Sequence, residues 1–298
     1  MVAMIDFRHE TFLALCRIGH YTKTAEYLHI TQPAVSQHIK FLEDLYGGRL
    51  FERHGRVLSL TERGERLLEY VSVASADSAH ELQALLRMDD SVRSVSFGAT
   101  LSIGEYVMPP ILSRCIRQDP DMEFHMQVGN TQTLLAKLHA GEIDFACIEG
   151  FFDKARYEWS LFSEEPFIAV CGPTSDLVGK SVRFDDLLGR RVILREQGSG
   201  TRDILERLLW ERNLSVESFS RYCEVGNMHA IKTLVSDDVG ITFLYEAAAK
   251  KELDEGSLIR IAMEDFTVLR AFHFVCLKGS RHIGEYRSWF ERFVALRS

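Results

Sequence analysis

Apolar residues near the start of the chain recur at helical spacing. Phe7, Thr11 with Phe12, Leu15 and Ile18 step by three and four, which predicts a first helix with one buried face ending near Gly19. Thr22 offers an N-cap hydroxyl, and Ala25, Leu28 and Ile30 supply the inner side of a short second helix. The run Thr31-Gln-Pro-Ala-Val-Ser-Gln-His-Ile-Lys opens a third helix at about Gln32, with Thr31 as cap, Pro33 in the first turn and Val35, Ile39 and Leu42 inward. Small Ala25 facing Val35 across a tight turn has the spacing of a helix-turn-helix, and His29 stands at the turn, a residue type that tolerates left-handed backbone. Alternation from Arg49 to Leu60 around Gly55 predicts a short hairpin, a wing.

From Thr61 to about Asp89 the chain holds no Pro and a single early Gly64. Leu68, Val71, Ser75, Ser78, Leu82 and Leu85 form a heptad-like seam with two weak serine positions. Such a helix pairs with a second copy or packs on its own domain. Beyond Asp89-Asp90 short β-rich runs alternate with amphipathic helices: Val95 to Ala99, Phe124 to Val128, Asp144 to Ile148, Phe167 to Val170, Arg191 to Leu194, Ser220 to Val225, Val239 to Leu244 and Phe272 to Leu277. This is an α/β class, read as parallel sheets covered by helices and, at more than 200 residues, as two linked lobes. The expected organisation is a winged helix-turn-helix of all-α type over 1–60, a linker and dimerisation helix over 61–90, and a ligand domain over 91–298. Lobe I of that domain is 91–164 plus 268–298, and lobe II is 165–267.

Composition narrows the function. Residues 1–66 carry 9 Lys+Arg against 8 Asp+Glu and the remainder 26 against 35, so a polyanion could be held only by a local basic surface. The first residues show neither a basic leader nor a cleavage site, and no apolar run approaches the ~20 residues of a membrane span, so a cytoplasmic chain with no membrane partner is expected. The six cysteines are scattered, with no zinc-finger spacing; no metal or other cofactor is expected, and Cys147 and Cys276 read as small core residues. No zinc-protease, nucleophile-elbow, phosphate-loop or dinucleotide motif occurs, which speaks against an enzyme.

Placed in a major groove, the leading turn of the third helix presents Gln32, Pro33, Ser36 and Gln37 to base edges, Gln37 being suited to adenine. Thr31 and Lys40 would hold phosphate, Thr22 belongs to the same face, and Arg53, His54 and Arg56 would flank the duplex from the wing. In the second domain four strand ends open helices with hydroxyl or amide side chains, where free N–H groups attract anions. They contribute Thr100, Leu101 and Ser102; Asn130 and Thr131; Gly198, Ser199, Gly200, Thr201 and Arg202; and Gly226 and Asn227. Each alone is also an ordinary N-cap, and Arg202 either binds a carboxylate or sulfate or stands exposed. Together they predict a cleft for a small, anionic effector.

The segments Tyr21-Thr-Lys-Thr-Ala-Glu-Tyr-Leu-His-Ile-Thr-Gln-Pro-Ala-Val-Ser-Gln-His-Ile, Leu50-Phe-Glu-Arg and Leu60-Thr-Glu-Arg-Gly resemble the LysR-type transcriptional regulators. Val128-Gly-Asn-Thr, Gly141-Glu-Ile-Asp and Leu194-Arg-Glu-Gln-Gly-Ser-Gly-Thr-Arg extend the resemblance to that family's effector domain, which is like periplasmic solute-binding proteins, and are most similar to the branch regulating sulfur and cysteine metabolism. The resemblance implies promoter DNA and a small co-inducer as partners, self-association as dimer or tetramer, and RNA polymerase as a further candidate partner. It also implies dimer contacts through Leu68, Val71, Leu82 and Leu85 on the linker helix and Val107, Ile111, Ile231 and Leu234 in the effector domain, the last four having a core role as the alternative. A solute-binding or transport protein using the same cleft is the alternative function.

Overall fold

The computed structural model describes residues 6–55, 57–86 and 93–297, and separates into two compact units. The first holds α1 (Phe7–Ile18), α2 (Tyr21–Leu28), α3 (Gln32–Tyr46), the hairpin β1 (Phe51–His54) and β2 (Val57–Leu60), α4 (Glu62–Leu86), and the short segments 137–144 and 277–283. Local chemistry sets the helix ends. Asp6 accepts from the Arg8 amide at 2.8 Å to start α1, and Gly19 closes it with φ 69°. The cap of α2 is His20, not Thr22, because the chain re-enters helix directly after the Gly19 turn; Thr22 is the exposed second residue of α2. Thr31 caps α3 by accepting from the Ala34 amide at 3.3 Å, and His29 takes the left-handed turn with φ 56°. Phe12, Leu15, Ala25, Val35, Ile39, Leu42, Leu50 and Phe51 close one core, which Leu67 and Val71 of α4 complete.

Thr61 joins the wing to α4, its hydroxyl accepting from the Gly64 amide at 3.1 Å and donating to the Arg49 carbonyl at 2.7 Å. Thr61→Ala removes both bonds, and a fall in unfolding free energy of about 1 kcal/mol is expected in denaturant titration; an unchanged midpoint would mean that the cap contributes nothing.

The heptad seam expected on α4 is not a free stripe. Val71 is buried in the unit's own core and Leu68 packs against that core. Halfway along, buried Asp77 accepts from Ser280 Oγ at 2.6 Å and the Arg281 amide at 3.0 Å. At Gly141 a Cβ would stand 2.8 Å from Ala76 Cα, so segment 137–144 also closes on α4. Of the seam leucines, Leu82 is half-buried and Leu85 is exposed.

The second unit carries β3 (Arg93–Thr100), α5 (Leu101–Tyr106), α6 (Met108–Gln118), β4 (Met122–Gly129), α7 (Thr131–His139), β5 (Phe145–Ile148), β6 (Tyr157–Cys171), β7 (Ser181–Val182), β8 (Arg191–Leu194), α8 (Gly200–Trp210), β9 (Arg221–Glu224), α9 (Met228–Ser236), β10 (Thr242–Tyr245), α10 (Glu246–Glu255), β11 (Ile259–Arg260), β12 (Ala262–Met263), β13 (Val268–Leu277) and α11 (Ile283–Ala295). The main sheet runs β10-β6-β13-β5-β3-β4, with β11 also on β6.

The sheet is α/β but mixed rather than all parallel. β3 is parallel to β4 and β5, and β8 is parallel to β9, whereas β13 is antiparallel to β5 and β10 to β6. The reversal comes from β6 and β13, neighbours in the sheet, which carry the chain between its two halves. β6 reaches 15 residues where a short strand at 167–170 was expected. The strand expected over Val239 to Leu244 begins only at Thr242, because Asp238, with φ 61°, turns the chain just before it.

Three of the four dimer positions expected in this unit belong to its own interior. Val107, Ile111 and Ile231 are buried, and Leu234 packs on the cluster around Ile168, Ile193, Met228 and Ile231. An apolar side chain already out of water gains no further burial from a partner, so Val107, Ile111 and Ile231 stabilise the fold of the single chain, while Leu234 is only half-buried.

Candidate functional site

Two surfaces collect the expected residues. The first lies on the helix-turn-helix. Thr31, Gln32, Pro33, Gln37 and Lys40 are exposed on the leading turns of α3, Ser36 is half-buried, and Arg53 and His54 are exposed on the wing. Arg56 lies outside the described residues. Gln32 Nε2 donates to Ser36 Oγ at 2.8 Å, which fixes part of this face before any partner arrives. An open groove of about 370 Å³ runs between α3 and the wing, lined by Gln32, Ser36 and Lys40 on one side and Arg49, Glu52 and Arg53 on the other. With three cations at the groove and the α3 N-terminus uncovered, the arrangement suits phosphate along the wing side and base edges at Gln37.

The second surface forms where β3, β4 and β5 end side by side. Thr100 pairs in register with Gly129, and Ala99 with Cys147, so Thr100, Thr131 and Glu149 stand on adjacent strand ends. Two of the expected cap residues are ordinary caps: Asn130 Oδ1 accepts from the Thr133 amide at 2.8 Å and Asn227 Oδ1 from the Ala230 amide at 2.9 Å. Thr100 and Ser199 make no side-chain cap bond. The loop into α8 closes tightly over the β5 end: Gly150 and Gly200 approach so closely that a Cβ on Gly150 would lie 2.8 Å from Gly200 Cα. Gly198, with φ 84°, could not carry a Cβ without meeting Gln132 Oε1 at 3.1 Å. Leu101 is half-buried against the neighbouring core cluster, and Gly226 is exposed beside the Glu196 carboxylate.

Arg202 does not offer its charge to a ligand. Its Nε donates to Glu206 at 2.7 Å, its Nη1 donates to the Arg195 carbonyl at 3.2 Å and pairs with Glu224, and the side chain is buried. Two carboxylates within the chain meet the guanidinium, so Arg202 ties α8 to the end of β9.

The residue that sequence reading missed is Glu149. Its carboxylate is 1% exposed and sits at the centre of the strand ends. Oε1 accepts from Thr201 Oγ1 at 2.8 Å and from Ser102 Oγ at 3.2 Å, and Thr131 Oγ1 donates to the Glu149 carbonyl at 2.8 Å. Burial raises its pKa to about 7, against the hydroxyls of Thr201 and Ser102 and the charge of Arg195, which lower it. Oε2 of Glu149, Oγ1 of Thr100 and Nη1 of Arg195 are buried and meet no hydrogen-bond partner among the described residues. The available signal was an acid directly after an entirely apolar strand, Phe145-Ala-Cys-Ile, and before Gly150. Cys147 and Cys276 are core residues as expected, burial pushing each thiol up to about 12.

Comparison with known proteins covers both surfaces. Residues 8–65 match the family described as bacterial regulatory helix-turn-helix protein, lysR family, and residues 89–296 match the LysR substrate binding domain. The HTH-type transcriptional regulator YeiE of Escherichia coli K12 is 30% identical over 254 residues, 85% of each chain. The HTH-type transcriptional regulator CysL of Bacillus subtilis 168 is 25% identical over 268 residues, 89% of each chain. The solved regulatory domain of CcmR from Synechocystis PCC6803, in complex with 2-PG, superposes with a TM-score of 0.62 at 21% identity, over 69% of this chain and 97% of that one. Among the described residues no helix is long and apolar enough to cross a membrane.

Proposed function

Since the chain belongs to the LysR family of transcriptional regulators, we propose that it binds promoter DNA through α3 and the wing, and that an anionic effector held at the β3, β4 and β5 ends controls that binding or the activation that follows it. The reading is carried by the exposed leading turn of α3, capped by Thr31 and bordered by Lys40, Arg49 and Arg53 across one groove. Donors at the strand ends support the anionic effector: Arg195 Nη1, the Thr100 hydroxyl and the first-turn amides of α8. The protein acts in the cytoplasm as a homodimer or tetramer, with RNA polymerase as a downstream partner. Regulation of sulfur metabolism is proposed on the similarity to CysL alone. A solute-binding role would leave the match over residues 8–65 without a purpose.

Selection of bound fragments from random duplex DNA by the full chain tests this reading. An interrupted inverted repeat is expected, with affinity falling about 10³-fold or more between 50 and 200 mM salt if six or more phosphates are contacted. Recovery of no common sequence would refute base reading by α3.

A further inference from the structure

The strand ends are rich in donors and hold a buried carboxylate oxygen that, among the described residues, meets no partner. Arg195 engages the two oxygens of Glu196 through Nε and Nη2, both at 2.8 Å, and its Nη1 meets no partner among the described residues. Ser199 caps α8 through backbone geometry alone, so the amides of its first turn are not met by that side chain. Glu149 Oε2 is buried and meets no partner among the described residues, while Oε1 is held by Ser102 and Thr201. An oxyanion drawn in by the donors would face a carboxylate oxygen in a medium of low dielectric, and the two negative charges would repel. A proton between them removes the repulsion and turns Oε2 from an acceptor into a donor, which gives that oxygen the partner it lacks.

We propose that this pocket binds an oxyanion together with one proton, shared between a ligand oxygen and Glu149 Oε2. The inference rests on the reading of the pocket as the effector site and adds what that reading lacks, a coupling of effector binding to pH. The proton comes from solvent or arrives on the ligand, and the complex is the same.

The groups that face Glu149 from the packed elements are Ser102 on α5, Thr131 on α7, Arg195 after β8, Thr201 on α8 and Tyr245 at the end of β10. Burial holds the Tyr245 phenol well above its ordinary value, so it stays neutral. Glu149 is therefore the group in this set that titrates near neutrality. A bound anion raises its pKa further above the value of the free pocket, about 7, so binding is strongest below pH 7 and weakens as pH rises through and beyond it.

Calorimetric titration of the full chain with inorganic sulfate at pH 6, 7 and 8 tests the coupling. The expected dissociation constant is nearly flat from pH 6 to 7 and rises about tenfold per unit above 7, the signature of one proton taken up per ligand. Titration at pH 8 in two buffers of different ionisation enthalpy should return close to one proton bound per sulfate. Glu149→Gln, whose amide donates without titrating, should bind sulfate equally at pH 6 and pH 8. Sulfate binding without proton uptake would overturn the coupling and leave the effector pocket standing, and wild-type protein alone decides this if the variant does not fold. Failure of both sulfate and phosphate to bind at any pH would overturn the oxyanion and with it the proposal. The pocket reading itself fails on a different result, an effector that alters DNA binding equally in wild type and in Ser102→Ala and Thr201→Ala variants.

Discussion

Gln37→Ala is expected to leave a folded protein that still holds DNA but no longer distinguishes one base pair of its site. Gln37 is exposed on the second turn of α3, next to Ser36, so its removal disturbs no core contact. A glutamine that reads adenine through both amide atoms supplies about 1–3 kcal/mol of discrimination, a factor of roughly 5 to 150 in relative affinity. The neighbouring Gln32 amide is partly spent on Ser36, which is why Gln37 carries the larger expected effect. Lys40→Ala separates the two kinds of contact, since loss of a phosphate partner weakens all sequences alike and lowers the salt slope by about 1. Competition gel shifts with single-base variants of the selected site measure both. Unaltered preference in the Gln37 variant would move base reading to another part of the protein.

The N-terminal unit was legible because its instructions are local. Apolar spacing, the Thr31 cap, Pro33 and the Gly55 turn each act within a few residues, and each was recovered at its position. His20 shows the limit of such reading: a hydroxyl at 22 looked like the better cap, but the preceding glycine turn decided where the helix could start. The α4 seam shows another. A three-four repeat of apolar residues says that one face is covered, not by what, and here the chain's own core claims Leu68 and Val71. Val107, Ile111 and Ile231 fell to the same ambiguity.

The pocket was half legible. Small and hydroxyl residues after strands mark helix starts whatever their use, so the positions around Thr100, Asn130, Ser199 and Asn227 were found without their roles. Glu149 and Arg202 reversed the expected distribution of charge, the arginine being neutralised internally and a carboxylate occupying the centre. Arg202 also pairs locally with Glu206, but its bond to Glu224 and that of Thr201 to Glu149 join residues 22 and 52 positions apart, which no local pattern encodes.

Gly200→Ala is expected to cause a large loss of stability for a single added methyl. A Cβ at this position would lie 2.7 Å from both Glu149 Cγ and the Glu149 carbonyl oxygen and 2.9 Å from the carbonyl carbon. Two of those atoms are backbone at the end of a buried strand, so relief requires α8 to move away from β5 as a body. Overpacking of this kind costs about 1–3 kcal/mol, and at roughly 2–4 °C per kcal/mol for a domain of this size the melting temperature should fall by several degrees. The same movement draws Thr201 from Glu149 Oε1 and removes one of the two hydroxyls that hold the carboxylate, so sulfate binding should weaken in the folded fraction as well. Gly189→Ala is the matched control, because nothing lies within 4 Å of a Cβ there, and its melting temperature should stay within about a degree of wild type or rise slightly. Circular dichroism melts of the three proteins measure the difference, and a Gly200 variant that melts with the control would mean that α8 and the β5 end do not approach one another in solution.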